Sequence, residues 1–298
     1  MGTFINPFSD FGFKKIFGQE VSKDILIDFL NCLLKGERHI SDIEFLDKER
    51  SGDTIDSRVS IYDLYCRTDS GEYIIVEMQN SKQENFLSRM LYYVARSISR
   101  QGDKGVKWEY NVQAVYGIAF MNFKVNSLTK FRTDTTTCDM ETGKQVIDKM
   151  RMIFLQLPLF PKDKIEDCVD EFEKWIYILK NMETFNRLPK EAQRAVFKKL
   201  ASIASLAELS PEERIAYDHD IKVYRDILTI QNEEKRRIED AETRGEQRGM
   251  EQGKIQEKLE IARTMLDNNA PLDLVILYTG LTADQIADLI NKKPKGSA

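Results

Sequence analysis

The chain has 298 residues, 42% of them hydrophobic, with 44 basic and 49 acidic side chains for a formal net charge of −5; this predicts one sizeable folded domain plus a smaller one and excludes a disordered tail. No run of about 18 apolar residues occurs, and Met1-Gly-Thr-Phe-Ile-Asn-Pro7 lacks a charged segment followed by an apolar one, so no membrane span and no signal peptide are expected and the expected location is cytoplasmic. Cys32, Cys66, Cys138 and Cys168 form no Cys-x-x-Cys pair and the only histidines are His39 and His219, which argues against zinc fingers, histidine-dependent nucleases and Cys-His or Ser-His-Asp hydrolases.

After Phe8-Ser-Asp-Phe-Gly-Phe-Lys-Lys-Ile-Phe17, the residues Ile25, Leu26, Phe29, Leu30, Leu33 and Leu34 recur at helical spacing over 22–34, and Lys35-Gly36 ends that helix. A short strand is predicted over Ile40–Leu46, and Lys48–Arg58 reads as a polar loop. Two β-rich runs follow, Ile61-Tyr-Asp-Leu-Tyr-Cys66 and Glu72-Tyr-Ile-Ile-Val-Glu-Met-Gln79, separated by Thr68-Asp-Ser-Gly71, a turn signal that closes a hairpin. A hairpin symmetric about Ser70 sets Asp63 opposite Glu77, with Gln79 on the same face. Tyr62, Leu64 and Cys66 would then share the opposite, apolar face with Ile74, Val76 and Met78. Like charges opposed across strands cost about 0.2–1 kcal/mol, more where water is scarce. Two acids and an amide on one face therefore suit a hard divalent cation such as Mg²⁺. An exposed polar hairpin face, with a salt bridge to a neighbouring Lys or Arg, satisfies the same pattern.

Over 82–101 the residues Phe86, Leu87, Met90, Leu91, Val94 and Ile98 form an apolar stripe that marks a helix packed on the sheet. Arg89, Tyr93, Arg96 and Arg100 recur at intervals of four, three and four along another stripe. From Gln79 to Lys107 there are six basic and two acidic groups, a local positive patch that a solvated helix face also explains. The first 160 residues as a whole hold 21 basic and 22 acidic groups, so any contact with phosphate has to be local. Val112–Phe120 and Met150–Leu157 read as further strands, the latter ended by Pro158 and Pro161. The order is αβββαβ with one added strand.

Residues 163–225 are helical in pattern, clearest over Val169–Leu179, and are expected to form a substrate-covering subdomain. Sixteen of the 28 residues from Glu233 to Glu260 are charged with signs interspersed, as in a long exposed or paired helix. Gly245, Gly249 and Gly253 within it each weaken a helix by about 1 kcal/mol relative to Ala, so a packing reason or a flexible linker is expected. Two short amphipathic helices follow over 261–290, joined by Thr279-Gly-Leu-Thr282. This small helix-turn-helix carries Asp273, Asp284 and Asp288, which favours oligomer or partner contact over DNA reading. The expected division is 1–160, 161–232 and 233–298. No phosphate-binding glycine motif follows a strand.

Asp10 with Phe13-Lys14 and Phe17, Asp63, Glu77-Met-Gln79, Arg89-Met-Leu-Tyr-Tyr93, and at the other end Ala262-Arg-Thr-Met-Leu266 with Thr279-Gly-Leu-Thr282 and Ile286 together resemble the Rpn family of recombination-promoting nucleases. That family, often labelled transposases, lies within the PD-(D/E)xK nuclease superfamily. The resemblance spans nearly the whole chain and implies an α/β, restriction-endonuclease-like αβββαβ core with a helical C-terminal extension. It also implies DNA as substrate and Mg²⁺- or Mn²⁺-dependent phosphodiester hydrolysis. By that pattern Asp63, Glu77 and the Met78 backbone carbonyl would hold the metal. Gln79 stands where much of the superfamily has lysine, a departure the Rpn family shares; a neutral amide can hydrogen-bond but brings no charge. Lys82, Arg89, Arg96 or Arg100 would supply charge toward the DNA phosphate, and Asp10 is the candidate acid of the first helix, with an N-cap role as its alternative. Two rivals stand beside this reading. A DDE-type transposase needs acids on separated strands and a late helix, and a degenerate nuclease would act through assembly, as a homo-oligomer joined by its C-terminal helices.

Overall fold

The computed structural model describes residues 2–47, 49–50, 60–102 and 109–291. The chain divides into two compact units, Met1–Thr229 and Ile230–Ala298.

In the first unit, helices α1 (Asp10–Phe17) and α2 (Lys23–Leu33) precede strand β1 (Ile43–Phe45). Two-residue strands β2 (Glu49–Arg50) and β3 (Ser60–Ile61) pair with each other, and the hairpin β4 (Leu64–Thr68) and β5 (Tyr73–Gln79) follows. Helix α3 (Phe86–Ser99) crosses over to β6 (Val115–Met121), and β7 (Arg132–Cys138) and β8 (Gln145–Gln156) complete the sheet. Its order is β1-β4-β5-β6-β8-β7. β5, β6 and β8 run parallel, and the other neighbours are antiparallel. This is the expected α/β core, with β8 as the added strand. Every residue of β6 is buried, as a central parallel strand covered on both faces requires.

The hairpin has the predicted register: Leu64 faces Val76, Tyr65 faces Ile75, Cys66 faces Ile74 and Arg67 faces Tyr73. Gly71 at φ +96° closes its turn, a conformation glycine reaches at little cost. One sheet face, with Leu64, Cys66, Ile74, Val76, Ile118 and Phe120, packs on Phe13, Phe29, Trp175 and Phe197 from the helices. The other, with Tyr65, Ile75, Val115 and Ala119, packs on Phe86, Met90 and Val94 of α3. α3 lies close because Gly117 of β6 has no side chain: a Cβ there would meet Val94 Cγ2 at 2.7 Å and Met90 Cε at 2.8 Å. The Tyr65 hydroxyl and Ser97 Oγ, 3.0 Å apart, tie β4 to the same helix.

Four expectations change. Tyr62 belongs to the face under α3, its ring 5.1 Å from that of Tyr65, because the chain leaves regular strand geometry between β3 and β4 and strict alternation stops there. β7 was not anticipated; its Thr-rich sequence carries β-branched side chains but almost no apolar ones. The helices α4 (Glu171–Asn181) and α5 (Ala195–Ile203) share a core with α2 and the sheet, so residues 161–229 of the expected 161–232 subdomain belong to the first unit. Of the polar loop expected over Lys48–Arg58, Glu49–Arg50 form β2 instead, and residues 48 and 51–58 lie outside the described residues.

Helix α6 (Pro211–Asp267) runs unbroken through the charged segment. No atom lies within 4 Å of a Cβ built at Gly245, Gly249 or Gly253, so nothing in the described chain supplies their packing reason. In the second unit, α7 (Leu272–Thr279) ends on Gly280 at φ +64°, a left-handed cap. A capping box opens α8 (Ala283–Asn291): Gln285 N–H donates to Thr282 Oγ1 at 3.3 Å, and Thr282 N–H donates to Gln285 Oε1 at 2.9 Å. Ala262, Val275, Leu281 and Ile286 form its small buried core.

Candidate active site

Asp63 stands one residue before β4, and Glu77 near the end of β5. The ladder's last hydrogen-bonded pair is Leu64 with Val76, so one step further the two acids meet where the strands begin to part. Met78 N–H donates to Asp63 Oδ2 at 2.7 Å, and the Asp63 backbone N–H hydrogen-bonds the Glu77 carboxylate. Glu77 is not solvated, as the polar-surface alternative requires: α3 packs on this face and Glu77 is only 6% exposed, while Asp63 and Gln79 are partly exposed.

Burial, followed by the charge of Asp63, pushes the Glu77 carboxyl up to about 8, against the smaller pull of Arg89 and the Asp63 amide. Glu77 Oε1 is buried with no hydrogen-bond partner among the described residues. A carboxylate in that setting keeps one oxygen without a donor, and the charge of Arg89 does not offset its burial. The donor set fits a hard divalent cation, with two carboxylates and the Met78 carbonyl, which by strand geometry points to the same edge of β5 as the Met78 N–H, toward Asp63. Among the described residues no group of three Asp, Glu, His or Cys side chains gathers, so carboxylate donors stop at this pair.

Gln79 does not stand free in the lysine position. Its Oε1 accepts from Arg89 Nη2 at 2.8 Å, and its Nε2 donates to the Ser81 carbonyl and hydroxyl at 3.3 and 3.2 Å. Arg89 also donates to Gln83 Oε1 and lies over the Phe86 ring, 4.9 Å from its centre. Its Nε is buried without a partner among the described residues. The guanidinium therefore brings to the Glu77 side of the site the positive charge that residue 79 lacks. One turn on, Tyr93 meets the Tyr62 ring edge-on at 5.1 Å. Burial, then the nearby Glu77 carboxylate, raises its hydroxyl above the usual phenol value. Sequence reasoning left Tyr93 as a member of the arginine stripe; the signal that it borders the acids was its position four residues after Arg89.

The remaining basic candidates differ in exposure: Arg96 and Arg100 are partly buried, Arg100 with its Nε and Nη1 enclosed, and of the three only Lys82 is exposed. Arg96 donates to the Tyr92 hydroxyl at 3.0 Å, Arg100 caps the end of α3, and Lys82 is exposed in the turn before it. Asp10 is not joined to the acid pair. Exposed in the first turn of α1, it forms an ion pair with Lys14 at 2.8 Å, and the N-cap is Ser9, whose hydroxyl accepts from Gly12 N–H at 3.1 Å.

A mixed sheet with parallel centre, an acid at each facing position of its hairpin and a basic crossover helix above them define the PD-(D/E)XK class of nuclease folds. The chain belongs to the PD-(D/E)XK nuclease family transposases, which it matches over residues 7–234. Residues 256–291 match the C-terminal HTH domain of the Rpn/YhgA-like nuclease family, which places the element that acidity alone had set apart from DNA in a class of DNA-binding folds. No curated protein and no solved structure gives a significant match. No helix among the described residues is long and apolar enough to cross a membrane.

Proposed function

We propose that the chain is a Mg²⁺-dependent (or Mn²⁺-dependent) DNA endonuclease that hydrolyses phosphodiester bonds at Asp63 and Glu77, acting in the cytoplasm in recombination or on mobile elements. The observation that carries this reading is Glu77: a nearly buried carboxylate, opposed by a second acid, with one oxygen that no described residue satisfies. Asp63, Glu77 and the Met78 carbonyl would hold the cation. When bound, the cation supplies charge neutralisation at the scissile phosphate and a lowered pKa for attacking water. Gln79 holds the Arg89 side chain in place, and the guanidinium offers charge to the phosphate. Lys82, Arg96 and Arg100 extend a positive track: from Gln79 to Gly102 four basic residues meet only Glu84. Asp10, turned to solvent with Lys14, would act on substrate only from outside the acid pair.

The second unit supports a further role in assembly. Leu277 and Tyr278 of α7 are each 72% exposed, an apolar face suited to contact between copies of this chain; light scattering on a chain lacking 230–298 tests it, with a lower mass expected. For the nuclease reading the test is plasmid cleavage by Asp63→Ala and Glu77→Ala proteins whose folding is intact. Loss of cleavage in both supports the site. Cleavage equal to the unaltered chain removes this site and leaves the degenerate-nuclease reading.

A further inference from the structure

Among the described residues, Tyr93 has a hydroxyl close enough to feel the charge of both Glu77 and Asp63. Its ring is held from two sides, edge-on by Tyr62, the neighbour of Asp63, at 5.1 Å, and by the Arg89 guanidinium at 6.0 Å from its centre. Arg89 is in turn fixed by Gln79 at the end of β5, and α3 is set down on β6 by Gly117. The ring is thus set between Arg89, which Gln79 of the Glu77 strand holds, and Tyr62 of the bend that bears Asp63. It is only half-buried, so its outer edge opens toward whatever occupies the site. No hydrogen bond within the described chain engages the hydroxyl, whereas the neighbouring Tyr65 and Tyr92 hydroxyls are taken up by Ser97 and Arg96. A phenol that stays protonated at neutral pH can donate one hydrogen bond. The acceptor that the surrounding charges prescribe is an anionic oxygen arriving beside Arg89.

We propose that Tyr93 is a substrate-contacting catalytic residue, its hydroxyl donating a hydrogen bond to a non-bridging oxygen of the scissile phosphate. This rests on the nuclease reading of Asp63 and Glu77. Charge builds on those oxygens as the phosphate is attacked, so a donor already held in place acts more strongly in the transition state than in the bound substrate. Tyr93 would work beside Arg89, with one neutral and one charged donor on the same group.

Tyr93→Phe keeps the ring contacts with Tyr62 and Arg89 and removes only the hydroxyl. With the full chain and a labelled duplex in Mg²⁺, kcat is expected to fall about 10- to 100-fold while KM changes by less than about five-fold, and the urea midpoint stays where it is. Binding of the uncut duplex in EDTA, read by fluorescence anisotropy, should weaken by about two- to five-fold. An unchanged kcat in Tyr93→Phe alongside an active unaltered chain overturns the proposal and spares the nuclease reading. A urea midpoint that falls together with kcat overturns it too, because Tyr93 is then part of the packing. An unaltered chain that neither cuts nor binds the duplex overturns the nuclease reading, and the role of Tyr93 with it.

Discussion

Glu77→Gln should make the metal-free protein more stable at alkaline pH, and inactive at every pH. The Glu77 carboxyl ordinarily titrates at 4.5 and in the folded chain at about 8. The folded state therefore holds this proton more tightly than the unfolded chain, and stability falls as pH rises from about 4.5 to about 8, then levels off. With about 1.4 kcal/mol per pKa unit, the cost of the ionisable group in EDTA is about 1 kcal/mol at pH 5 and close to 5 kcal/mol at pH 8.5. A glutamine does not ionise, but its buried NH₂ needs a partner and costs about 1–3 kcal/mol at every pH. The quantity to measure is therefore the change with pH, in which the constant amide cost cancels. Urea titrations of both proteins at pH 5 and pH 8.5, followed by fluorescence of the fully buried Trp175, should show the variant gaining about 4 kcal/mol on the unaltered chain between the two. Mg²⁺ should raise the stability of the unaltered chain at pH 8.5 and leave the variant nearly where it was. Parallel pH curves for the two proteins would refute the reasoning, since Glu77 would then ionise as easily folded as unfolded.

Arg89→Ala removes the positive charge beside the acids and frees Gln79; cleavage should fall by about 100-fold or more while duplex affinity falls less than ten-fold, as measured by single-turnover kinetics and anisotropy. Arg89→Lys should recover little, because an ammonium cannot hold Gln79, Gln83 and the Phe86 face together. Gly117→Ala drives a methyl into Val94 and Met90; the expected cost is about 1–3 kcal/mol in urea, with reduced cleavage because the helix carrying Arg89 and Tyr93 moves outward. Arg96→Ala should lower the slope of log Kd against log salt by about one unit and leave the rate at saturating DNA within about two-fold.

The hairpin was legible because its turn chemistry fixes register: residue numbers that add to 140 face each other in the structure as in the sequence, and that alone brings Asp63 to Glu77. What alternation could not show was what lies over that face. The acids of a hairpin point away from its apolar side in any sequence, and only the crossover helix decides whether that direction is water or a second core. Phe86, Met90 and Val94 gave the helix its apolar stripe, but their partners Tyr65, Ile75 and Ala119 lie on strands that a single-stretch reading treats separately. The Thr-rich edge strand β7 escaped for a related reason. Its pairing with β8 is made by backbone and hydroxyl groups, and period-two hydrophobicity does not report those.

Gln79 was the feature that sequence left least explained, since it puts a neutral amide where positive charge serves the superfamily. A lysine at 79 would sit on the same strand as Glu77, two residues along and on the same face, and would neutralise it from there. With Gln79, the charge comes from α3 through Arg89, and the amide becomes the strut that aims it. The separation has a consequence for how the site is held. A strand-borne lysine keeps its place by the sheet alone, whereas Arg89 keeps its place only while α3 sits flush on β6, which depends on Gly117 and on the Tyr65–Ser97 hydrogen bond. A Gln79→Lys substitution therefore adds a second cation beside Arg89, 2.8 Å from where the amide oxygen now accepts, and repulsion between the two should push Arg89 off its site. Cleavage is expected to drop, not rise. Gln79→Lys combined with Arg89→Gln exchanges the two groups and restores one cation and one amide, so the double variant should be more active than either single one. Higher activity in Gln79→Lys alone would mean that residue 79, and not the helix, is where this site needs its charge.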